Sequence, residues 1–398
     1  MTLLRDESAT EGRLVGTDRN DLPVAKTFRT NRRMVFALAV LAVVAGRVVA
    51  QQMRLATLRP GLHLYAYVTG VRDGIVTVVD LVALASHGQI AVGPAPSGLR
   101  AHPTRAELWG VSTTGGYVWV IDARQGAVAA NIPVGGGLFA VDFSPDGSRA
   151  YAAAADTGEV AAIDCASRRV VARARAGDRP WLVRATPDGK YVLVANRGES
   201  SLSLLDARTL VTVDKIAVTA APEQMAVLPD SSKAFIASGS DNTVSLVDLR
   251  TRKLLANLAV GGRPGALLLS VDGGELYVLS AESHGLDVID TWRNETGDHV
   301  TVGSSPALGV LSTDGGVLYV TDTAAGRVAP VELNHRQVLR PISVGQRPLA
   351  AALTPEGNLL LVVNEGSNDL AIVRTRTNSM LTLVPVGLRP RDVAVKMF

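Results

Sequence analysis

The chain has little of several features on which many proteins depend. Among its 398 residues there is one cysteine, Cys165, so no disulfide can form within the chain. Only 4% of the residues are aromatic although 47% are hydrophobic, which predicts a core built on valine, leucine and alanine. The longest apolar run, Met34 to Ala45, falls short of the roughly 20 residues that a bilayer crossing needs. These absences exclude a disulfide scaffold and argue against a permanent membrane span.

Motifs of common catalytic sites are missing as well. The chain contains no Gly-x-Ser-x-Gly elbow, phosphate-binding loop, dinucleotide fingerprint or zinc-binding His-Glu pair. Its histidines, at positions 63, 87, 102, 284, 299 and 335, show no metal-ligand spacing. We therefore predict neither a metal site nor a cofactor, and we expect binding rather than catalysis. A catalytic set dispersed along the chain remains the alternative.

What the chain has instead is an internal period of 42 residues. An aspartate ends a hydrophobic run at Asp80, Asp122, Asp164, Asp206, Asp248 and Asp290, and the register continues at Glu332 and Arg374. A second series keeps the same spacing at Pro103, Pro145, Pro187, Pro229, Val271, Thr313 and Pro355. Periods of this length indicate one supersecondary unit copied along the chain.

Each unit is predicted to contain four short strands. In the unit of residues 187–228, apolar runs at 191–196, 202–206, 211–218 and 224–228 are separated by turn residues. No run shows sustained helical spacing. The recurring aspartate is expected to accept hydrogen bonds from amides of the following turn, and Asp-Gly pairs such as Asp188-Gly189 are expected to form tight hairpins.

Four-stranded units of this size predict an all-β fold, an eight-bladed β-propeller of antiparallel blades. Candidate second strands start near Leu64, Glu107, Arg149, Tyr191, Lys233, Glu275, Val317 and Leu359. The first unit lacks an innermost strand, whereas Arg391 to Val395 supply one at the C-terminus with no blade after it. We expect the N- and C-terminal strands to pair and close the ring. Seven blades are the alternative if one terminal unit is degenerate.

The N-terminal segment differs from the repeats and divides the chain into a leader, residues 1–50, and a propeller domain, residues 51–398. Arg32-Arg33, the apolar run that follows and the small residues ending at Ala50 are typical of a signal peptide. The arginine pair resembles a twin-arginine signal, so export by that route or the general secretory route is expected, to the periplasm or outside the cell. Membrane contact is expected only if this leader stays uncleaved.

Net charge does not favour nucleic acid as a partner. The whole chain carries +3, but residues 1–50 hold 8 basic and 5 acidic residues, which leaves 32 of each in the rest. The predicted propeller is therefore formally neutral, without the basic excess of a general nucleic-acid binder.

The strongest candidate site is a set of arginines in corresponding loops. Loops from an outermost strand to the next innermost strand repeatedly read Gly-x-Arg-Pro, and in a propeller they surround one mouth of the channel together with the loops between second and third strands. These loops contain the candidate ligand-binding residues Arg72, Arg179, Arg197, Arg263, His284, Arg347 and Arg389. We expect them to bind a phosphate, a carboxylate or an anionic cofactor through guanidinium hydrogen bonds.

Two other roles are open for these residues. Each arginine can instead pair with an acid of the same loops, namely Asp156, Glu199, Asp241, Glu282 or Glu365. His284 is the histidine best placed to serve as an axial haem ligand, which needs only one imidazole.

The repeat resembles the YVTN family of β-propeller repeat proteins, exported proteins of bacteria and archaea. Copies of its motifs are Tyr319-Val320-Thr321-Asp322, Tyr67-Val68-Thr69-Gly70, Ser144-Pro145-Asp146-Gly147, Val120-Ile121-Asp122, Val288-Ile289-Asp290 and Val344-Gly345-Gln346-Arg347-Pro348. The likeness spans residues 61–398. It implies a blade-building repeat and is not specific for an activity.

We expect the chain to be a non-enzymatic, exported scaffold that binds a protein partner, a cell-envelope polymer or a small anion with its loop face. The first alternative is an enzyme or cofactor-handling protein with a lactone, quinone or haem-type ligand at the arginine-lined mouth. The chain lacks the Cys-x-x-Cys-His motif of attached haem. The second alternative, by analogy with periplasmic relatives, is single-stranded nucleic-acid binding.

Overall fold

Short antiparallel strands account for nearly all regular structure in the computed structural model, which describes residues 63–398. They form eight sheets around a central channel, so the predicted eight-bladed propeller is confirmed and the seven-bladed alternative is wrong. The predicted leader, residues 1–50, lies outside the described residues. Within residues 63–398 there is no helix with the length and apolarity needed to cross a membrane.

The two inner positions of each blade hold strands of six to eight residues. The innermost strands are β4 (Pro96–Ala101), β8 (Leu138–Phe143), β12 (Pro180–Ala185), β16 (Pro222–Val227), β20 (Pro264–Leu269), β24 (Pro306–Leu311), β29 (Pro348–Leu353) and β33 (Pro390–Met397). The second strands are β1 (Leu64–Gly70), β5 (Glu107–Ser112), β9 (Arg149–Ala154), β13 (Tyr191–Asn196), β17 (Lys233–Ser238), β21 (Glu275–Ser280), β25 (Val317–Asp322) and β30 (Leu359–Asn364). All second strands begin at the residues predicted from the repeat.

The two outer positions complete the blades. The third strands are β2 (Ile75–Asp80), β6 (Tyr117–Asp122), β10 (Glu159–Asp164), β14 (Ser201–Asp206), β18 (Thr243–Asp248), β22 (Gly285–Asp290), β26 (Arg327–Glu332) and β31 (Asp369–Arg374). The outermost strands are β3 (Ala85–Ala91), β7 (Ala127–Pro133), β11 (Arg169–Arg175), β15 (Thr212–Ala217), β19 (Lys253–Ala259), β23 (Glu295–Thr301), β27 (Gln337–Val338) with β28 (Ile342–Ser343), and β32 (Ser379–Pro385). A short 3-10 helix, Thr375–Thr377, precedes β32.

Blade 7 differs from the others because its outermost strand is broken into β27 and β28. Both short pieces pair with the third strand β26. Pro341 lies in the gap, and proline has no backbone N-H to donate to a sheet ladder. Pro330 of β26 lies opposite the same gap and also has no N-H, so the interruption coincides with two prolines on facing strands.

The ring closes between the two ends of the described chain. The C-terminal β33 pairs with β1, which makes the strand order of the first blade β3-β2-β1-β33. Beyond the strands, the amide of His63 donates to the carbonyl of Phe398 at 2.9 Å, and the amide of Phe398 donates to the carbonyl of His63 at 3.1 Å. The predicted closure is confirmed, with β33 longer at both ends than the predicted Arg391 to Val395.

The periodic residues build the turns, as predicted. The carboxylate of Asp206 accepts hydrogen bonds from the amides of Arg208 at 3.0 Å and Thr209 at 2.8 Å, two and three residues along the chain. The turn amide of Thr209 and its hydroxyl hold the pKa of this carboxyl below its usual range. In the first hairpin, Gly189 adopts a φ of 69°, the left-handed conformation that glycine favours. These residues serve the fold in most blades.

The core consists of apolar clusters between neighbouring blades. Between blades 2 and 3, for example, Trp109 packs with Val141, Ala152, Ile163 and Cys165, all fully buried. Burial raises the pKa of the Cys165 thiol to about 12. The cysteine is therefore a core residue whose thiolate does not form at neutral pH.

Candidate binding face at the mouth of the channel

Two sets of loops meet on one end of the ring, here called the mouth face. They are the loops from each outermost strand to the next innermost strand and the loops between second and third strands. Backbone hydrogen bonds join them: the amide of Arg197 donates to the carbonyl of Arg179 at 3.0 Å, and the amide of Glu365 donates to that of Arg347 at 3.0 Å. The same pairing links Val71 with Arg389 at 3.2 Å.

The arginines of the Gly-x-Arg-Pro loops share an unusual backbone conformation. Arg179, Arg263, Arg347 and Arg389 have φ angles of 50°, 53°, 51° and 51°, in the left-handed region. Ala95 and Ala221 occupy the same repeat position with φ angles of 48° and 51°. The turn therefore belongs to the repeat and does not require an arginine side chain, which leaves the exposed guanidinium groups for other contacts.

One arc of the mouth face brings three of the predicted arginines together. Arg347 and Arg389 each place Nη2 against a different oxygen of Glu365, at 3.1 and 3.2 Å. The arginine side chains are 67% and 65% exposed, whereas Glu365 is only 13% exposed. Arg72 belongs to the same arc, because its amide donates to the carbonyl of Leu388 at 3.1 Å. Two guanidinium groups thus share a single carboxylate.

A second arc combines arginine with aromatic side chains. The rings of Phe139 and Trp181 stack with centroids 3.8 Å apart and an interplanar angle of 28°. The Arg197 guanidinium lies over the Trp181 ring, 4.8 Å from its centroid, and its Nη2 contacts Oε1 of Glu223 at 2.7 Å. Arg179 lies beside Arg197 through the backbone hydrogen bond described above.

The third arc holds the remaining candidates. Arg263 is 3.9 Å from Glu282, a long and largely exposed ion pair. Nδ1 of His284 donates to the carbonyl of Ser304 at 2.7 Å, since a carbonyl oxygen can only accept. In the neutral form of the ring, this hydrogen bond places the proton on Nδ1 and the lone pair on Nε2.

All seven predicted residues lie on the mouth face, although in three arcs rather than one cluster. The predicted pairing with loop acids is present at Glu282 and Glu365. Glu199 pairs with Lys215 at 2.8 Å instead, and Asp241 accepts the amide hydrogen of Ala220 at 2.7 Å.

The sequence reasoning missed Phe139, Trp181 and Glu223. They occupy the same position in three successive repeats, 42 residues apart. Each follows the first residue of an innermost strand, which is Leu138, Pro180 or Pro222. Their shared repeat position, next to the Gly-x-Arg-Pro loops, is the sequence feature that could have identified them.

Two cavities lie away from the mouth face, among the first hairpins and the turns after the third strands. One, of about 450 Å³, is lined by His63, Tyr65, His87, Arg124 and Phe398, among others. The other, of about 520 Å³, is lined by Asp272, Glu275, Tyr277, Asp314 and Arg336, among others. Neither includes a predicted site residue.

These features define an eight-bladed repeat β-propeller with a loop-built, charged mouth. A family model described as YNCE-like beta-propeller matches residues 116–317, just over half of the chain. The chain belongs to this family. No curated protein matches it.

Three solved structures are similar to the chain. Hydrazine synthase of Kuenenia stuttgartiensis is 18% identical, with 70% of this chain and 95% of that chain covered and a TM-score of 0.59. Dihydro-heme d1 dehydrogenase NirN in complex with DHE is 15% identical, with 83% and 74% covered and a TM-score of 0.73. A functionally unknown protein from Desulfotomaculum acetoxidans DSM 771 is 15% identical, with 83% and 98% covered and a TM-score of 0.58. At these identities the likeness shows the fold alone.

Proposed function

We propose that this chain is a non-enzymatic binding protein that recognises a protein, an envelope polymer or a small anion with its mouth face. The observation that carries the proposal is the stack of Phe139, Trp181 and Arg197. Aromatic side chains and arginine are the residues most enriched at binding hot spots. The repeat does not need them there, because other blades have Ser97, Gly265 or Ala307 in the register of Phe139 and Trp181.

The charge of the mouth face supports a partner with negative groups. Glu365 offsets only one of the two positive charges of Arg347 and Arg389. Exposed guanidinium groups can redirect their hydrogen bonds to a phosphate or carboxylate with little rearrangement. A protein or polymer partner would contact both the aromatic stack and the arginine pair, whereas a small anion would contact the arginine pair alone.

We further propose that the chain is a YVTN-type member of its family and is exported through the N-terminal leader. The strand-end motif supports the first point: Asn196, Asp322 and Asn364 all end second strands, and all are fully buried. Sequencing the N-terminus of the mature protein from its host tests the second, and a start before Gln51 contradicts cleavage there.

The binding proposal is tested with matched variants on the two faces. The mouth variant is Trp181→Ala with Arg197→Ala, and the control is Trp292→Ala with Arg250→Ala, at exposed positions in turns after third strands. Cross-linked partners recovered from the native host should disappear with the mouth variant and persist with the control, because only the first set lies on the proposed surface. Partners unchanged in the mouth variant contradict the proposal, and steeply salt-dependent binding of single-stranded oligonucleotides favours the nucleic-acid alternative.

A second candidate, cofactor handling, is favoured by the geometry of His284. Its Nδ1-H donates to Ser304, which leaves Nε2 free to ligate, the arrangement that metal-bound histidines adopt. NirN, a structural neighbour, is a dihydro-heme d1 dehydrogenase. Such a group supplies redox chemistry when bound, and the neighbouring Arg263 would hold its carboxylates.

Titration with haemin tests this candidate. We expect a sharpened haem absorbance band with the wild type and a spectrum typical of unligated haem with His284→Ala. The spectrum of His87→Ala should be the same as that of the wild type. Identical spectra for wild type and His284→Ala contradict the role of His284.

A further inference from the structure

At one register of the innermost strands, which surround the central channel, charged residues occupy neighbouring blades and apolar residues occupy the others. Each innermost strand places one residue in the same register of its pairing with the second strand, namely Arg100, Asp142, Arg184, Ala226, Leu268, Val310, Ala352 and Ala394. The charged members belong to blades 2, 3 and 4, and the other blades have apolar side chains. Blade 1 adds Asp392, two residues before Ala394.

Arg184 has hydrogen-bonding capacity that the protein does not use. Its Nη1 is buried and has no hydrogen-bond partner among residues 63–398. The nearest acid oxygen, Oδ1 of Asp142, is 3.8 Å away, too far for a hydrogen bond. The side chain as a whole is 23% exposed, so it still reaches solvent. An unpaired buried N-H is costly, and a ligand atom would satisfy it.

The acids of this cluster are already engaged by backbone amides. Oδ2 of Asp142 accepts from the amide of Ala185 at 3.0 Å, and Oδ2 of Asp392 accepts from the amide of Gly98 at 2.9 Å. The two acids thus hold adjacent strands together and do not saturate the guanidinium groups.

Arg100 and Arg184 lie near enough to repel each other. Burial, and then the positive charge of Arg100, lower the pKa of Arg184 to about 10. Burial also raises the pKa of Asp392. An anion between the two guanidinium groups would relieve this repulsion.

We propose that the charged side of the channel is a second ligand site, distinct from the mouth face, for a small organic monocarboxylate. Its carboxylate would accept hydrogen bonds from Arg184 and Arg100, and its apolar part would face the side formed by Leu268 and Val310. A single negative charge fits best, because a dianion such as phosphate would also meet Asp142 and Asp392. The apolar side has no hydrogen-bonding groups for the water around an inorganic ion.

Calorimetric titration of the full chain with sodium butanoate tests the proposal. We expect saturable binding of butanoate and none of 1-butanol, with inorganic phosphate at equal ionic strength at least tenfold weaker. Arg184→Met should lower butanoate affinity at least tenfold, since it removes the charge and the paired N-H donors of the guanidinium group but retains an apolar side chain. Arg208→Met, an exposed arginine in a turn after a third strand, should bind like the wild type.

Further variants separate a binding role from a structural one. Asp142→Asn should tighten binding about threefold or more, because it removes a competing charge and its amide oxygen can still accept from Ala185. If Arg184→Met does not fold, Arg100→Met must show the loss instead. No saturable binding by the wild type, undiminished affinity in the arginine variants, or equal affinity for phosphate would overturn the proposal.

Discussion

Deleting residues 388–398 is expected to leave a chain that does not hold a stable ring. The deletion removes β33, the innermost strand of blade 1, and exposes the edge of β1 along most of its length. It also uncovers apolar side chains packed around Ala394, including Tyr67 and Trp119. Burial of several such side chains contributes on the order of 5 kcal/mol or more, which is comparable with the whole stability of a typical domain.

Thermal unfolding followed by circular dichroism measures this effect, and we expect loss of the cooperative transition or aggregation. A synthetic peptide of residues 388–398 should restore the transition when added in excess, whereas a peptide with scrambled order should not. A truncated chain that melts like the full chain would show that closure by β33 contributes little. That outcome would also remove the reason to place Asp392 in a rigid channel wall.

The fold was predictable because the same residues perform the same structural task in each blade. Asp206 and Gly189 form turns whose hydrogen bonds are local, so their spacing reveals the strand boundaries directly. The outermost strands were less predictable: the strand expected at 211–218 is Thr212–Ala217. An outermost strand pairs on one side only, so its ends depend on few contacts, and in blade 7 it is divided where Pro341 and the facing Pro330 lie.

The candidate site was predictable in position but not in contacts. The repeat register places Arg197 on the mouth face, because loops of one type share one end of a propeller. Its partner Glu223 belongs to the next blade, and several acids of the mouth loops compete for each arginine. Which acid is chosen depends on side-chain geometry between blades. The stack of Trp181 on Phe139 has the same origin, since it joins two different blades.

Asp322→Ala is expected to destabilise the chain by roughly 3 kcal/mol, mainly the cost of leaving buried amide donors without their acceptor. The carboxylate of Asp322 is fully buried at the end of β25. It accepts hydrogen bonds from the amides of Ser304 and Ser305, both at 2.9 Å, and pairs with Nε of Arg327 at 3.2 Å. Its loss leaves two loop amides and a guanidinium group without their acceptor, so the loop between β23 and β24 loses its anchor.

Asp314→Ala is the matched control, because Asp314 is exposed in a hairpin turn and its hydrogen bonds are worth about 1 kcal/mol. Urea unfolding of both variants beside the wild type gives the comparison, and equal midpoints for the two variants would contradict the anchoring role.

The effect of Asp322→Ala should also depend on pH in a defined direction. Burial alone would raise the pKa of Asp322, but the amides of Ser304 and Ser305 outweigh it and hold the pKa below its usual value. A carboxyl with a lowered pKa in the folded state stabilises the protein above the unfolded pKa of about 4. This stabilisation is lost as the pH falls through the lowered folded value. The difference in free energy of unfolding between wild type and Asp322→Ala should therefore be constant from about pH 5 to about pH 7. It should shrink in stronger acid. A difference that grows on acidification would mean that Asp322 is not ionised in the folded ring.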